Sequence, residues 1–159
     1  MPEFLTLIPP DKALTILLSN TPIPPIASES IDVATALGRI TAVPIYAPHS
    51  LPTFTRSAVD GYAVQAADTY GASDSLPVYL KLIGEVLMGE QPLFSIAPLT
   101  CGLIHTGGML PEGSNAVAML EYTQQVSPNE IEIRRSIAIG ENVINIGEDI
   151  LEGQLVIPK

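Results

Sequence analysis

Ser57-Ala58-Val59-Asp60-Gly61-Tyr62-Ala63, followed at once by Val64, decides how this chain is read. Asp60-Gly61 is a turn signal, and Tyr62-Ala63-Val64 behind it has the aromatic and β-branched character of a strand. Glycine tolerates backbone conformations closed to other residues, so Gly61 is expected to bend the chain and aim Asp60 out of the sheet. A carboxylate on such a turn can hold Mg2+ or a metal-bound water. The same dipeptide is equally an ordinary hairpin turn. Before it, His49 to Arg56 reads as a loop punctuated by Pro48 and Pro52.

Downstream, Gln65 to Thr69 suits a helical turn, and from Leu76 onward short strands alternate with breakers. They are expected at Val78–Ile83, Leu103–His105, Ala116–Leu120, Thr123–Val126, Glu130–Arg134 and Gln154–Ile157. Glu130-Ile131-Glu132-Ile133 alternates polar with apolar, the mark of a half-buried strand. The gaps are too short for crossover helices, which argues against a parallel α/β sheet. Upstream, Asp11 after Pro9-Pro10 opens a helix with Ala13, Leu14, Leu17 and Leu18 on one face. Asn20-Thr21-Pro22 ends it, and a proline-stiffened connection runs to Pro25. A second short helix is expected from Asp32, its N-cap, to Leu37, with Gly38 as terminator. Arg39 to Ile45 reads as a strand that Pro44 brings to its end. The expected fold is mainly β with a few short helices.

Composition bounds the rest. The 159 residues are 47% hydrophobic, enough for a core, but Trp is absent and aromatics are 5%, so that core must be aliphatic. Fifteen prolines and twelve glycines cut the chain into short elements and argue against a helical bundle. Lys+Arg is 7 against Asp+Glu 17, a formal net charge of −10, which repels nucleic acid and anionic membrane surfaces. A phosphorylated ligand would need a cation or a basic partner domain beside it. Cys101 is the one cysteine, so no internal disulfide forms, in keeping with a reducing compartment. The start lacks a signal peptide's basic region, and no apolar run reaches the roughly 20 residues of a membrane helix. A soluble, cytoplasmic protein is expected.

Two further segments could carry chemistry. His105-Thr106-Gly107-Gly108 places a glycine pair after a strand, where exposed N–H groups and the threonine hydroxyl would suit an oxyanion. It could also be a strand ending in a flexible turn. There is no Gly-x-Gly-x-x-Gly and no Walker lysine. Gly147-Glu148-Asp149 sets two carboxylates side by side, which a cation would reconcile, though a solvated acidic turn also accounts for them. His49 and His105 form no metal-spacing pair, so neither a zinc site nor histidine-based nucleophilic catalysis is expected. His105 reads as a packed or partly exposed strand residue.

In this order the segments resemble the molybdopterin molybdenumtransferase family, which includes bacterial molybdenum-inserting enzymes and the E domain of gephyrin. The resemblance rests on Ala36-Leu37-Gly38-Arg39, Ser57 to Ala63 with Phe54, Gly84-Glu85, Gly89-Glu90-Gln91-Pro92, Thr106-Gly107, Leu110-Pro111-Glu112-Gly113, Asn115-Ala116-Val117, Gly140-Glu141-Asn142 and Gly147-Glu148-Asp149. It implies insertion of molybdate into adenylylated molybdopterin, with Mg2+ and release of AMP, in a homodimer. It also implies an elongated two-subdomain N-terminal-region fold. Residues 1–52 plus 139–159 would form a discontinuous helix/strand subdomain, 53–138 a β-rich insert, and the catalytic pterin-binding domain would lie outside this chain. Carried over by position, Asp60, Thr106 and Asp149 are the expected catalytic residues. Ser57, Gly107 and Glu148 are expected to bind the cofactor, and Asp60 and Asp149 to meet the metal. Where relatives carry arginines before Gly-Glu-Asp, this chain has Ile144, Asn145 and Ile146; Thr55 and Arg56 replace an Asp-Asn common before the serine.

Three readings follow. The first is the N-terminal part of a molybdenumtransferase, inactive alone, binding neither Mg2+ nor molybdate tightly by itself. The second is a stand-alone, non-catalytic dimerisation or scaffold module of the same ancestry. The third, without the resemblance, is a small Mg2+-binding β domain acting on phosphate esters.

Overall fold

The computed structural model describes residues 7–22 and 27–159; the end of the expected connection, Ile23 to Pro25, lies outside them. The chain divides into two compact units, Met1–Ala42 and Val43–Lys159. In the first, helix α1 spans Pro10–Asn20, opened by a proline whose missing N–H costs nothing at a helix start. Asp32 caps the next element as expected, its carboxylate accepting from the Ala34 N–H at 2.8 Å. That element is a single 3-10 turn, Val33–Thr35, rather than a helix to Leu37. Its β-branched Val33 and Thr35 favour helix poorly, and Gly38, at φ +78°, turns the chain away soon after.

The second unit holds the strands. They are β1 (Ile45–Tyr46), β2 (Arg56–Ser57), β3 (Gly61–Val64), β4 (Val78–Val86), β5 (Thr100–Ile104), β6 (Ala116–Met119), β7 (Thr123–Ser127), β8 (Glu130–Ile133), β9 (Val143–Ile144) and β10 (Leu155–Ile157). Six make one sheet in the order β6-β3-β5-β4-β8-β7, and two antiparallel pairs, β1 with β10 and β2 with β9, bring the C-terminal segment back to the start of the unit. The mainly β fold with few short helices is as the sequence indicated. The expected strand Arg39–Ile45 is not formed. Only Ile45–Tyr46 pairs, because Pro44 has no N–H to extend the ladder. The sheet is antiparallel except between β4 and β5, which run parallel across the connection from Leu87 to Leu99. A long irregular loop does here what a crossover helix does elsewhere.

Gly61 is required for a reason other than a bend. Its φ is not in the left-handed region. It lies within β3, and a Cβ there would sit 2.0 Å from the carbonyl oxygen of Ala118 on β6. The side-chain hydrogen is what lets the two strands close.

β3 is buried at all four positions, so alternate residues feed two aliphatic cores. Tyr62 and Val64 join Leu80, Cys101, Ala116, Ala118, Ile131 and Ile133 in the larger one. Ala63 joins Val86, Ile104 and Val117 in the other, flanked by half-buried Val59, Phe94, Leu110 and Val143. That second core is the shelf for the loops that follow, since Val59 precedes Asp60, Leu110 follows the 105–109 turn and Val143 opens β9.

Candidate functional site

The two residues of β2 form the mount. Arg56 and Ser57 pair with Ile144 and Val143 of β9 on one side. On the other, the Ser57 N–H donates to the Gly108 carbonyl at 2.9 Å, and the Ser57 carbonyl accepts from the Gly107 N–H at 2.8 Å. Arg56 also bridges to Met109. One short strand therefore ties the 57–61 loop to the 105–110 turn and to the C-terminal segment. Asn142 adds a stitch in the left-handed conformation, φ 60°. Its side-chain amide donates to the Val117 carbonyl at 2.9 Å, and its own carbonyl accepts from the Ala58 N–H at 2.9 Å.

On this mount Asp60 and Thr106, 46 residues apart in sequence, meet directly. Asp60 Oδ1 accepts from the Thr106 N–H at 2.7 Å and from the Thr106 hydroxyl at 3.0 Å. Both bonds favour the ionised carboxylate, the backbone one most, and the charge of nearby His105 adds to them, so the Asp60 pKa is lowered although the side chain is exposed. His105 Nδ1 lies 4.0 Å from Asp60 Oδ1, and its Nε2 is 2.9 Å from Glu85 Oε1 on β4. The histidine is partly exposed, as its sequence context suggested, yet it stands between two carboxylates. The sequence carried no sign of this pairing, because Glu85 reaches His105 through the parallel β4–β5 register, which sets Glu85 opposite Leu103.

The glycine pair is arranged differently from an open nest. Thr106 donates its N–H and its hydroxyl to Asp60, Gly107 its N–H to Ser57, and Gly108 its N–H to the His105 carbonyl at 2.8 Å. These donors rigidify the turn and are already spent. Gly107 takes φ +83°, which explains the glycine. Ser57 is buried, its hydroxyl donating to the Val59 carbonyl at 2.6 Å, so it shapes the loop that carries Asp60.

Asp149 and Glu148 enter from the C-terminal segment. Glu148 caps its own turn, accepting from the Asn145 N–H at 2.9 Å. The Asp149 N–H donates to the Leu51 carbonyl at 3.0 Å, and its carboxylate lies 4.0 Å from Arg56 Nη2. Asp149 is thus set against β2 through Arg56, a residue the sequence marked only as a departure from relatives. Among the described residues no three His, Cys, Asp or Glu side chains gather as metal ligands do. Cys101 is buried, and burial pushes its thiol up to about 12, which leaves it inert.

What fold and site together define is a β-rich acidic module whose polar cluster sits at a loop edge over a small aliphatic core. A family model described as the MoeA N-terminal region (domain I and II) matches residues 8–159. A protein named for molybdopterin biosynthesis from Methanocaldococcus jannaschii is 39% identical over 133 residues, covering 82% of this chain and 31% of the relative. The molybdopterin molybdenumtransferase of Bacillus subtilis is 34% identical over 135 residues, covering 83% and 31%. A crystal structure of the molybdopterin biosynthesis MoeA protein from Pyrococcus horikoshii OT3 superposes with a TM-score of 0.85 at 34% identity, over 97% of this chain and 40% of that one. The chain belongs to the MoeA N-terminal region family and corresponds to the N-terminal part of MoeA-type molybdopterin molybdenumtransferases. It spans about a third of the length of these curated relatives.

Proposed function

We propose that this chain supplies one edge of the cleft in which a molybdopterin molybdenumtransferase inserts molybdate into adenylylated molybdopterin and releases AMP. The observation that carries the reading is the Asp60–Thr106 contact, which joins two of the segments on which the resemblance rests. Asp60 and Asp149 are assigned to orienting polar groups of the substrate, with Thr106 holding Asp60 ionised. Ser57, Gly107 and Glu148 keep the three loops in place. Mg2+ and molybdate would be held in the assembled protein, with Asp60 and Asp149 as the carboxylates this chain would offer and Mg2+ supplying charge neutralisation for the substrate. A homodimer in the cytoplasm is part of the same reading.

The subdomain boundaries are proposed with it: 1–52 with 139–159, and 53–138 between. The β1–β10 pairing supports a C-terminal segment that returns to residues 1–52, β2–β9 ties that segment to the insert, and the six-stranded sheet draws all its strands from the middle.

The test is molybdenum insertion by a full-length family enzyme carrying this chain as its N-terminal part, with Asp60→Asn, Thr106→Ala and Asp149→Asn compared against the parent. Loss of about 100-fold or more in AMP release for Asp60→Asn is expected, the scale of losing a preorganised polar group. Full activity in that variant removes Asp60 from the reading, and molybdenum insertion by the isolated chain removes the reading itself.

A further inference from the structure

We propose that Arg56 is the oxyanion-binding residue of this module, taking a tetrahedral dianion such as phosphate or molybdate at the outer edge of its guanidinium. The inference rests on reading the Asp60–Asp149 edge as the substrate-facing side, and names the ligand chemistry that edge takes.

An anion at this edge needs N–H or O–H groups not already engaged, and those of Thr106, Gly107 and Gly108 serve Asp60, Ser57 and His105. Arg56 is in the opposite condition. A guanidinium carries five N–H donors in a planar fork. Here Nε is buried without a hydrogen-bond partner among the described residues, and Nη2 is 4.0 Å from Asp149, beyond hydrogen-bond length.

The other arginines of this unit are committed. Arg134 Nε bonds Glu132 at 2.6 Å, and Arg135 bonds Glu141 at 2.6 Å while lying over the Tyr122 ring. The buried Nε–H is out of an anion's reach, so the donors on offer are those of the two Nη groups at the outer edge. The backbone of Arg56 is fixed from both sides, by Ile144 and by Met109, so the fork is presented from a rigid strand. Two parallel N–H groups match two oxygens of a phosphate or molybdate, which a lysine cannot reproduce. Asp149 is then the competing anion, and a dianion displaces its loose contact.

The experiment is an NMR titration of the whole chain with sodium phosphate and, separately, sodium molybdate, against sodium chloride at matched ionic strength. The buried Nε–H of Arg56 gives a protected arginine signal that reports on the guanidinium. Expected are saturable shifts of that signal with phosphate, molybdate or both, none with chloride, and at least five-fold weaker binding in Arg56→Lys. Asp149→Asn, which removes the competitor, tightens binding several-fold. Linear, chloride-like shifts with both anions overturn the proposal, as does equal binding by folded Arg56→Lys. Because no turnover is measured, these outcomes are independent of the Asp60→Asn activity test. A module that binds anions at Arg56 but needs no Asp60 would keep this inference and lose the catalytic one.

Discussion

At the scale of the residue, two positions are constrained by contacts that their sequence context did not show. Gly61 reads as a turn glycine, yet its constraint is the 2.0 Å approach of the Ala118 carbonyl to where a Cβ would be. Backbone cannot yield there as a flexible side chain could, so Gly61→Ala is expected to destabilise the chain by about 1–3 kcal/mol, measured by denaturant unfolding. A neutral result would mean that β3 and β6 can part without cost.

Asp60 reads as a carboxylate on a turn, and the fold ties it to Thr106. Its carboxyl is therefore held below the ordinary range, chiefly by the N–H and then by the hydroxyl. The carboxylate's contribution to stability is present above the ordinary carboxylate pKa and is lost as pH falls through the depressed value. Thr106→Ala deletes the hydroxyl and keeps the N–H. A carbon-13 titration of the Asp60 carboxyl should show the midpoint rising part of the way back. An unmoved midpoint would mean that the hydroxyl bond does not form in solution.

Elements were legible where local pattern and burial agree. Glu130–Ile133 alternates in sequence and is buried at Ile131 and Ile133, and the fold uses it as a sheet strand. β2 and β9, two residues each, have no period to detect, and they exist because the C-terminal segment returns to meet them. The parallel β4–β5 pair was equally hidden, since nothing local shows that the Leu87–Leu99 loop folds over the strands it joins. Its device is visible in the structure. Gly84 and Gly102 face each other in the register, and Phe94 lies across both, its ring 2.7 Å and 2.5 Å from where their Cβ atoms would be. The pair of glycines is a seat for one ring. Gly102→Ala should therefore unseat Phe94 and weaken the shelf below Val59 and Leu110. In a double-mutant cycle with Phe94→Ala, a coupling of about 0.5–3 kcal/mol is expected, because the alanine methyl costs little once the ring is gone. Additive effects would show that the ring is not held there.

For the whole molecule, the question is where stability resides. The buried hydrophobic set runs from Ala47 to Ile137 and belongs wholly to the unit Val43–Lys159. In the unit Met1–Ala42, no described residue is buried, and α1 exposes Leu14, Leu17 and Leu18 along its apolar face. Area removed from water is the main favourable contribution to folding, so the cooperative transition should be that of the second unit. A chain shortened to residues 43–159 is expected to unfold in a single transition with Tm within about 5 °C of the full chain, a shift equivalent to roughly 1 kcal/mol for a domain of this size. Calorimetry of the two chains side by side measures it. The Asp60–Thr106 and Arg56–Asp149 contacts all lie within the retained unit, so the phosphate-induced shift of the Arg56 signal should survive the truncation as well. A broad transition, or a fall of more than about 10 °C, would place folding energy in the helical start and end the view that the sheet alone carries the site.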